Sequence, residues 1–238
     1  RASAIITISE NSKKEILDYY DVSSDQVTVA NPAIDHDLYR PRGLKEIAEV
    51  KRKYNLPAQY ILYVGTLEPR KNITGIVEAY SLLPTNIKNE NALVLGGGKG
   101  WKDTEIGEKI EELKDEGEKI LATGYLDQED LPALYSGASL FVFPSFYEGW
   151  GMPPLEAMAC GVPVITANNS SLPEVVGNAA ILVDATDTRA LAQNVQKALT
   201  DPALAKRMVV MGLKQAKKFS WKKSASKILE VLERVDRG

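Results

Sequence analysis

Cysteine and histidine are almost absent from this chain: there is one of each, Cys160 and His36. That excludes a disulfide framework and any Cys/His zinc cluster. There is no excess of positive charge either. With 29 basic and 32 acidic residues the net charge is −3, so the balance offers no basic field to a nucleic acid. No apolar run reaches transmembrane length, and the opening "RASAIITISE" is not a signal peptide. No repeat or low-complexity tract occurs. What remains is ordinary globular composition: 238 residues, 44% hydrophobic and 26% charged. That length supports one large domain or a domain with an appendage. A reducing, cytoplasmic setting fits the single thiol, which reads as buried in a helix.

Short apolar runs recur along the chain: "AIITIS", "VTVA", "YILYVG", "ALVLGG", "ILATG", "LFVFPS", "VPVITA" and "AILVD". They are continuous rather than alternating, as in strands covered on both faces. Helical patterns lie between most of them. Ser12 with Glu15 reads as a capping box, and Asp127 reads as a cap before "EDLPALYSGA". Repeated βα units of this kind predict an α/β protein with a Rossmann-like, doubly wound parallel sheet. Three further helices are expected after "AILVD". The first βα unit is set apart by the turn-rich "ANPAIDHDLYRPRG". Residues 1–26 are therefore expected to be the tail of another domain or a linker, and 27–238 the main domain.

Doubly wound sheets bind ligands beyond the carboxyl ends of their strands. At one such end stands "FVFPSFYEGWGMPPLEAMACG". Gly149 and Gly151 are expected at positive φ, close to a ligand. Pro153 and Pro154 suit the first turn of a helix, and its free amides would favour a phosphate. The useful donors would be the amides of Gly149, Trp150, Gly151, Met152 and Leu155. Glu148, and Glu156 in that first turn, could each accept sugar hydroxyls. A charged turn balancing the helix dipole would explain Glu156 alone, but not the whole set. At a second strand end, "YVGTLEPRKN" puts Arg70 and Lys71 after Gly65. Adjacent cations there offset a diphosphate without a metal, or simply sit in a solvated loop. "LVLGGGKGW" reads as a tight turn beside the ligand. In "NNSSLPEVVG", Ser170 or Ser171 reads as a helix cap and Glu174 as structural. The "DHD" at Asp35–Asp37 has the form of a metal motif, but helix capping by Asp35 is the better reading.

Taken together, "PSFYEGWGMPPLEAMACGVPVI" with its Glu148-x₇-Glu156 spacing closely resembles the signature of retaining family 4 glycosyltransferases. "YVGTLEPRKN", "LVLGGGKGW", "GYLDQEDLPALYSGASLFVFPS" and "SSLPEVVGNAAILVD" resemble the family's other blocks, in order, over residues 27–225. The resemblance implies the C-terminal, donor-binding half of a GT-B fold. It implies that Glu148 contacts the transferred sugar and Glu156 the ribose. Arg70 and Lys71 would neutralise the pyrophosphate, and with Glu148 they are the expected catalytic residues. Gly65 and Thr66 would line the site, the Gly149–Met152 amides would hold sugar and phosphate, and Tyr125 and Leu126 would border the base. No metal and no cofactor beyond the GDP- or UDP-sugar donor are implied. The implied partners are an N-terminal acceptor domain and a glycan or lipid-linked acceptor, met in the cytoplasm or peripherally at the inner membrane face.

Two departures stand out. Thr66 follows the glycine where many relatives have arginine, so Arg70 would take that cation's place. The hinge reads "NPAID" rather than "NGVD". The reaction implied is retaining transfer of a hexose, with mannose from GDP-mannose narrowly ahead. The chain alone is expected to bind donor without turning over. A non-catalytic sugar-nucleotide module, or a hydrolase or epimerase of the same fold, stays open at this point.

Overall fold

The computed structural model describes residues 2–98, 100 and 104–236. Its centre is a six-stranded parallel sheet built from β3 (Tyr60–Val64), β4 (Ala92–Gly96), β5 (Ile120–Gly124), β6 (Leu140–Phe143), β7 (Val164–Ala167) and β8 (Ile181–Val183). The order is β5-β4-β3-β6-β7-β8. Winding therefore runs outward in one direction from β3 and in the other from β6. These two central strands lie side by side, with Ile61 opposite Leu140 and Leu62 opposite Phe141. Every residue of β3, β6 and β7 is buried, which is why their sequences carry no polar alternation.

Helices cover both faces. α3 (Ile73–Ser81), α5 (Thr104–Asp115) and α9 (Thr188–Thr200) neighbour one another, as do α6 (Leu131–Ser136), α7 (Met152–Ala159), α8 (Leu172–Val176) and α10 (Pro202–Ala216), with α2 (Leu44–Lys53) against α6. A short α4 (Thr85–Glu90) precedes β4. The core is rich in aromatics: Tyr63 stacks on Phe143 across the central strand pair at 5.8 Å, and Phe143 on Phe141 at 6.1 Å.

A separate two-stranded parallel sheet pairs β1 (Ile5–Thr7) with β2 (Val27–Val29) around α1 (Glu10–Tyr19). The expected boundary at residues 26 and 27 falls inside this pair, because Val27 is registered to Ile5. The last helix, α11 (Trp221–Asp236), lies against β2, and Lys227 donates to the Val29 carbonyl at 3.1 Å.

All eight apolar runs are strands, and the three closing helices are present. Several caps differ from expectation. α1 is capped by Ser9, whose hydroxyl accepts from the Ser12 amide at 3.0 Å. Ser12 is therefore already inside the helix. Asp127 does not cap α6; its carboxylate pairs with Lys53 at 2.7 Å. Asp35 closes a turn, accepting from the amides of Asp37 and Leu38, and no helix follows it directly.

The glycines of "LVLGGGKGW" have a packing role, although Lys99 and Trp101 lie outside the described residues. The loops after β3 and β4 bond backbone to backbone: Gly65 N–H to Gly96 O at 2.9 Å and Leu67 N–H to Gly98 O at 3.1 Å. Gly97 sits at φ +140°, and a Cβ there would stand 2.0 Å from the Gly65 carbonyl oxygen. Gly97→Ala should therefore lower stability by roughly 1–3 kcal/mol or more, from strain plus backbone displacement. At Gly98 a Cβ would meet nothing within 4 Å, so Gly98→Ala should stay within about 0.5 kcal/mol. Urea denaturation of the two variants checks the contrast.

Candidate functional site

The β3/β6 switch is where the predicted residues converge. After β3, a 3₁₀ turn (Pro69–Lys71) ends at Asn72, which takes a left-handed conformation at φ 58°. The Asn72 side chain is buried and donates to the carbonyls of Pro144 and Ala185 at 3.2 and 2.7 Å. Asparagine tolerates this backbone because its short amide finds partners locally. It ties the β3 loop to the loops after β6 and β8. The Ser145 hydroxyl oxygen lies 3.0 Å from Arg70 O, and the Phe146 amide donates to that carbonyl at 2.9 Å.

Glu148 lies between the two cations. Lys71 Nζ is 2.5 Å from Oε1, Arg70 Nη1 is 3.1 Å from Oε2, and Ser145 Oγ donates to Oε1 at 2.8 Å. The side chains of Lys71 and Glu148 are only 13% and 11% exposed, so this is a largely desolvated pair. Lys71 Nζ also stands 5.2 Å from the Phe143 ring centroid. Arg70 is more open and forks to Glu68 at 2.6 Å and the Tyr147 carbonyl at 2.6 Å. Arg70, Lys71, Glu68 and Glu148 together carry no net charge. An arriving anion would therefore have to draw the two cations away from their carboxylates.

The turn into α7 supplies donors. Gly151 sits at φ +126°, and a Cβ there would stand 2.9 Å from Leu172. Gly149, by contrast, is not at positive φ; a Cβ there would meet Ile8 of the first unit at 3.4 Å. Among the described residues, the amides of Gly149, Trp150, Gly151 and Met152 donate to no protein acceptor. The loop is held from behind instead. Ser170 Oγ accepts from the Glu148 amide at 3.0 Å, and the Ser171 hydroxyl donates to the Trp150 carbonyl at 2.6 Å with the Glu148 carbonyl 2.9 Å away. Ser171 occupies the N-cap position of α8 without a capping hydrogen bond, because its hydroxyl is spent on this loop. The Trp150 indole is buried with its ring edge on Phe219, 5.2 Å between centroids. Only its backbone is available to a ligand.

Glu156 is in the second turn of α7, not the first, since the helix begins at Met152. Balancing the helix dipole is therefore not its role. Tyr135 donates to Oε2 at 2.9 Å, and Tyr39 brings a second hydroxyl to the carboxylate. Burial raises the Glu156 pKa above its ordinary 4.5, while both tyrosines oppose the rise. Burial and the Glu156 charge push both phenols up, so they stay protonated donors. At the end of the helix, burial pushes the Cys160 thiol up to about 12, which makes it inert.

The other predicted residues are more peripheral. Gly65 and Thr66 lie at the mouth, with the Thr66 carbonyl accepting from Tyr63 at 3.0 Å. Tyr125 is 79% exposed at the end of β5, while the Leu126 side chain is buried. The first unit also borders the site. Glu174 accepts from the first amides of α1, those of Glu10 and Asn11, at 2.8 and 2.7 Å. Tyr147 donates to Glu15 at 2.5 Å. Ser145, Asn72, Tyr39 and Tyr135 were not singled out from sequence. Their side-chain partners lie 21 or more residues away, except for the contacts of Ser145 with Tyr147 and Glu148, and only that short spacing held a local signal.

This geometry can be set beside known proteins. The profile for "Glycosyl transferases group 1" matches residues 45–215. The chain belongs to the glycosyl transferases group 1 family. Over 92% of its length it is 43% identical to O-antigen chain mannosyltransferase B of Escherichia coli, covering 58% of that protein. It is 36% identical to the serotype-specific mannosyltransferase WbdA of E. coli over 99% of its length, covering 29% of that protein. The chain thus spans part of the length of each. Among solved structures, sucrose-phosphate synthase from Thermosynechococcus elongatus superposes with a TM-score of 0.84 at 29% identity, covering 100% of this chain and 59% of the other. Anabaena HepE, in complex with UDP and glucose, superposes at 0.87 with 19% identity over 98% of this chain and 64% of the other, a likeness of fold. The six-stranded architecture of this family member is similar to that of GT-B glycosyltransferases.

Because the fold raises the pKa of Glu156, it binds that proton more tightly than the unfolded chain does. Stability from this group is therefore present at low pH and lost as pH rises through the raised value. Glu156→Gln removes the titration. The melting temperature of the wild type should gain on that of Glu156→Gln as pH falls from 7 towards 4.5. Parallel melts of the two proteins test this; a constant difference would show that Glu156 has an ordinary pKa.

Proposed function

We propose that this chain is the donor-binding half of a retaining hexosyltransferase that takes mannose from a nucleoside-diphosphate sugar, GDP-mannose first among them. The observation that carries the reading is the Arg70–Lys71–Glu148 cluster at the sheet's switch point, beside the unpaired amides of Gly149–Met152. The names of the E. coli relatives support mannose as the transferred sugar and a polysaccharide chain as the product. The acceptor would be a glycan, free or lipid-linked.

On this reading the diphosphate meets the α7 amides and draws Arg70 and Lys71 onto itself. Preorganised donors then stabilise the negative charge that develops as the sugar departs. Glu148, released from its cations, faces a sugar ring becoming positive, while Glu156 takes the ribose hydroxyls. Tyr135 and Tyr39 fix that carboxylate's orientation. Metal would not be needed, since two cations and a helix N-terminus do its work. The first unit, from β1 to β2, would belong with an N-terminal domain that brings in the acceptor for attack on the face the diphosphate leaves. The fragment alone would bind donor and transfer nothing.

Thermal-shift titration against GDP, UDP, ADP and their sugars tests the donor. A true ligand at about a hundredfold over its Kd should stabilise by roughly 2.7 kcal/mol, and EDTA should leave the shift intact. Calorimetry then separates the two glutamates. Glu156→Ala should weaken GDP and GDP-mannose alike, by roughly 1.5–3 kcal/mol for a lost charged hydrogen bond. Glu148→Ala should spare GDP and weaken only the sugar nucleotide. Equal losses for both ligands in Glu148→Ala would remove that residue from the sugar.

A further inference from the structure

From Pro202 to Leu229 the chain carries eight cations (Lys206, Arg207, Lys214, Lys217, Lys218, Lys222, Lys223 and Lys227) and no acidic residue. Subtracting them leaves 21 basic against 32 acidic residues elsewhere. The net charge of −3 thus conceals a strongly positive segment in an otherwise acidic protein.

The structure gathers most of these charges on one surface. At 100° per residue, Lys206, Lys217, Val210, Lys214, Arg207 and Lys218 fall within about 120° of one another around the axis of α10 and its final turn. All six are exposed, and the opposite face, with Leu204, Met208 and Gly212, is buried. Trp221, Lys222 and Lys223 continue the exposed surface at the start of α11. None of the eight cations forms an ion pair with any described residue. Other solvated helices here mix their signs: α2 sets Glu46 and Glu49 among its lysines, and α5 sets Lys109 and Lys114 among its glutamates. Mixed signs are the usual device of a merely soluble face.

Two large apolar side chains stand among these charges. Val210 is 45% and Trp221 55% exposed. A polyanion such as nucleic acid would gain nothing from them on its phosphates. The interface of a bilayer accepts both parts, with cations at anionic headgroups and an indole at headgroup depth. We infer that the exposed face of α10 and the start of α11 form a docking surface for an anionic lipid bilayer. The surface backs onto the candidate site, because Phe219, between the two helices, packs on Trp150 of the loop before α7. Docking there holds that loop near the membrane. The inference stands on charge and exposure and does not require the donor-site reading.

Co-sedimentation with vesicles tests it. The chain should bind vesicles of phosphatidylglycerol and phosphatidylcholine, and bind pure phosphatidylcholine at least tenfold more weakly. It should leave the anionic vesicles as salt rises from about 0.1 M to 1 M, where screening is nearly complete. Indole emission should shift to the blue on binding, and Trp221→Phe should remove the shift. Replacing Lys214, Lys217, Lys218, Lys222 and Lys223 by Ser should weaken binding at least a hundredfold, since each surface cation contributes about fivefold. Replacing Lys14, Lys45, Arg52, Lys109 and Lys119 by Ser, an equal loss of charge elsewhere, should leave most binding intact. Melting curves show that each variant is folded. Failure to bind anionic vesicles, equal loss in both quintuple variants, or binding to heparin without binding to vesicles would overturn the inference.

Discussion

The contact between Lys71 and Glu148 is the constraint around which the rest is arranged. The two side chains come from different strand ends and meet 2.5 Å apart with little water around them. Removing either partner from such a buried pair leaves an uncompensated charge at a cost of about 3–5 kcal/mol, so their backbones must be held still. The adjacency of β3 and β6 provides the first restraint, and no other pair of strands in this order would bring these two loops together. Asn72, Ser145 and Ser171 provide the second, each bridging loops far apart in sequence. The aromatic stack beneath, Tyr63 on Phe143, gives Lys71 a firm floor.

Because that cluster is neutral as it stands, it does not attract an anion by net charge. On the proposed reading, attraction falls instead to the amides before α7, which have no acceptor among the described residues, and to the helix dipole behind them. On the proposed reading this division has a use. The cations are already in position but remain committed to Glu148 until a diphosphate competes for them. Binding the leaving group and freeing the carboxylate would then be one event.

Legibility in the sequence followed the range of the interactions. Continuous apolar runs such as "YILYV" and "LFVF" mark buried parallel strands by composition alone, and all of them are strands. Glu148 and Glu156 stood out because their signal is local: a strand, two glycines, two prolines and a helix. The caps were harder. Ser9 and Ser12 both suit the start of α1, and only the folded backbone shows that Ser9 holds the Ser12 amide. Asp127 was drawn from its helix by Lys53, 74 residues distant. Tyr135 and Ser145 gave no sign of their roles, since a buried hydroxyl looks like any core residue until its partner is known. The basic stretch near the end was legible throughout, but averaging charge over the whole chain cancelled it.

The spacing of the two glutamates is one motif in sequence and two environments in space. Glu148 lies in a loop with a cation on each oxygen and a serine hydroxyl on one of them. Glu156 lies on a helix among neutral phenols, where burial opposes its charge. A carboxylate held by two cations would, on the proposed reading, exchange partners when an anion arrives. A carboxylate held by hydroxyl donors is oriented by neutral partners, with no cation to exchange. The seven residues between them form the turn into α7 and the helix's opening turn, and so determine that one carboxylate faces the cationic loop and the other the tyrosines. The motif thus places its two carboxylates in separate environments, imposed by where the helix begins.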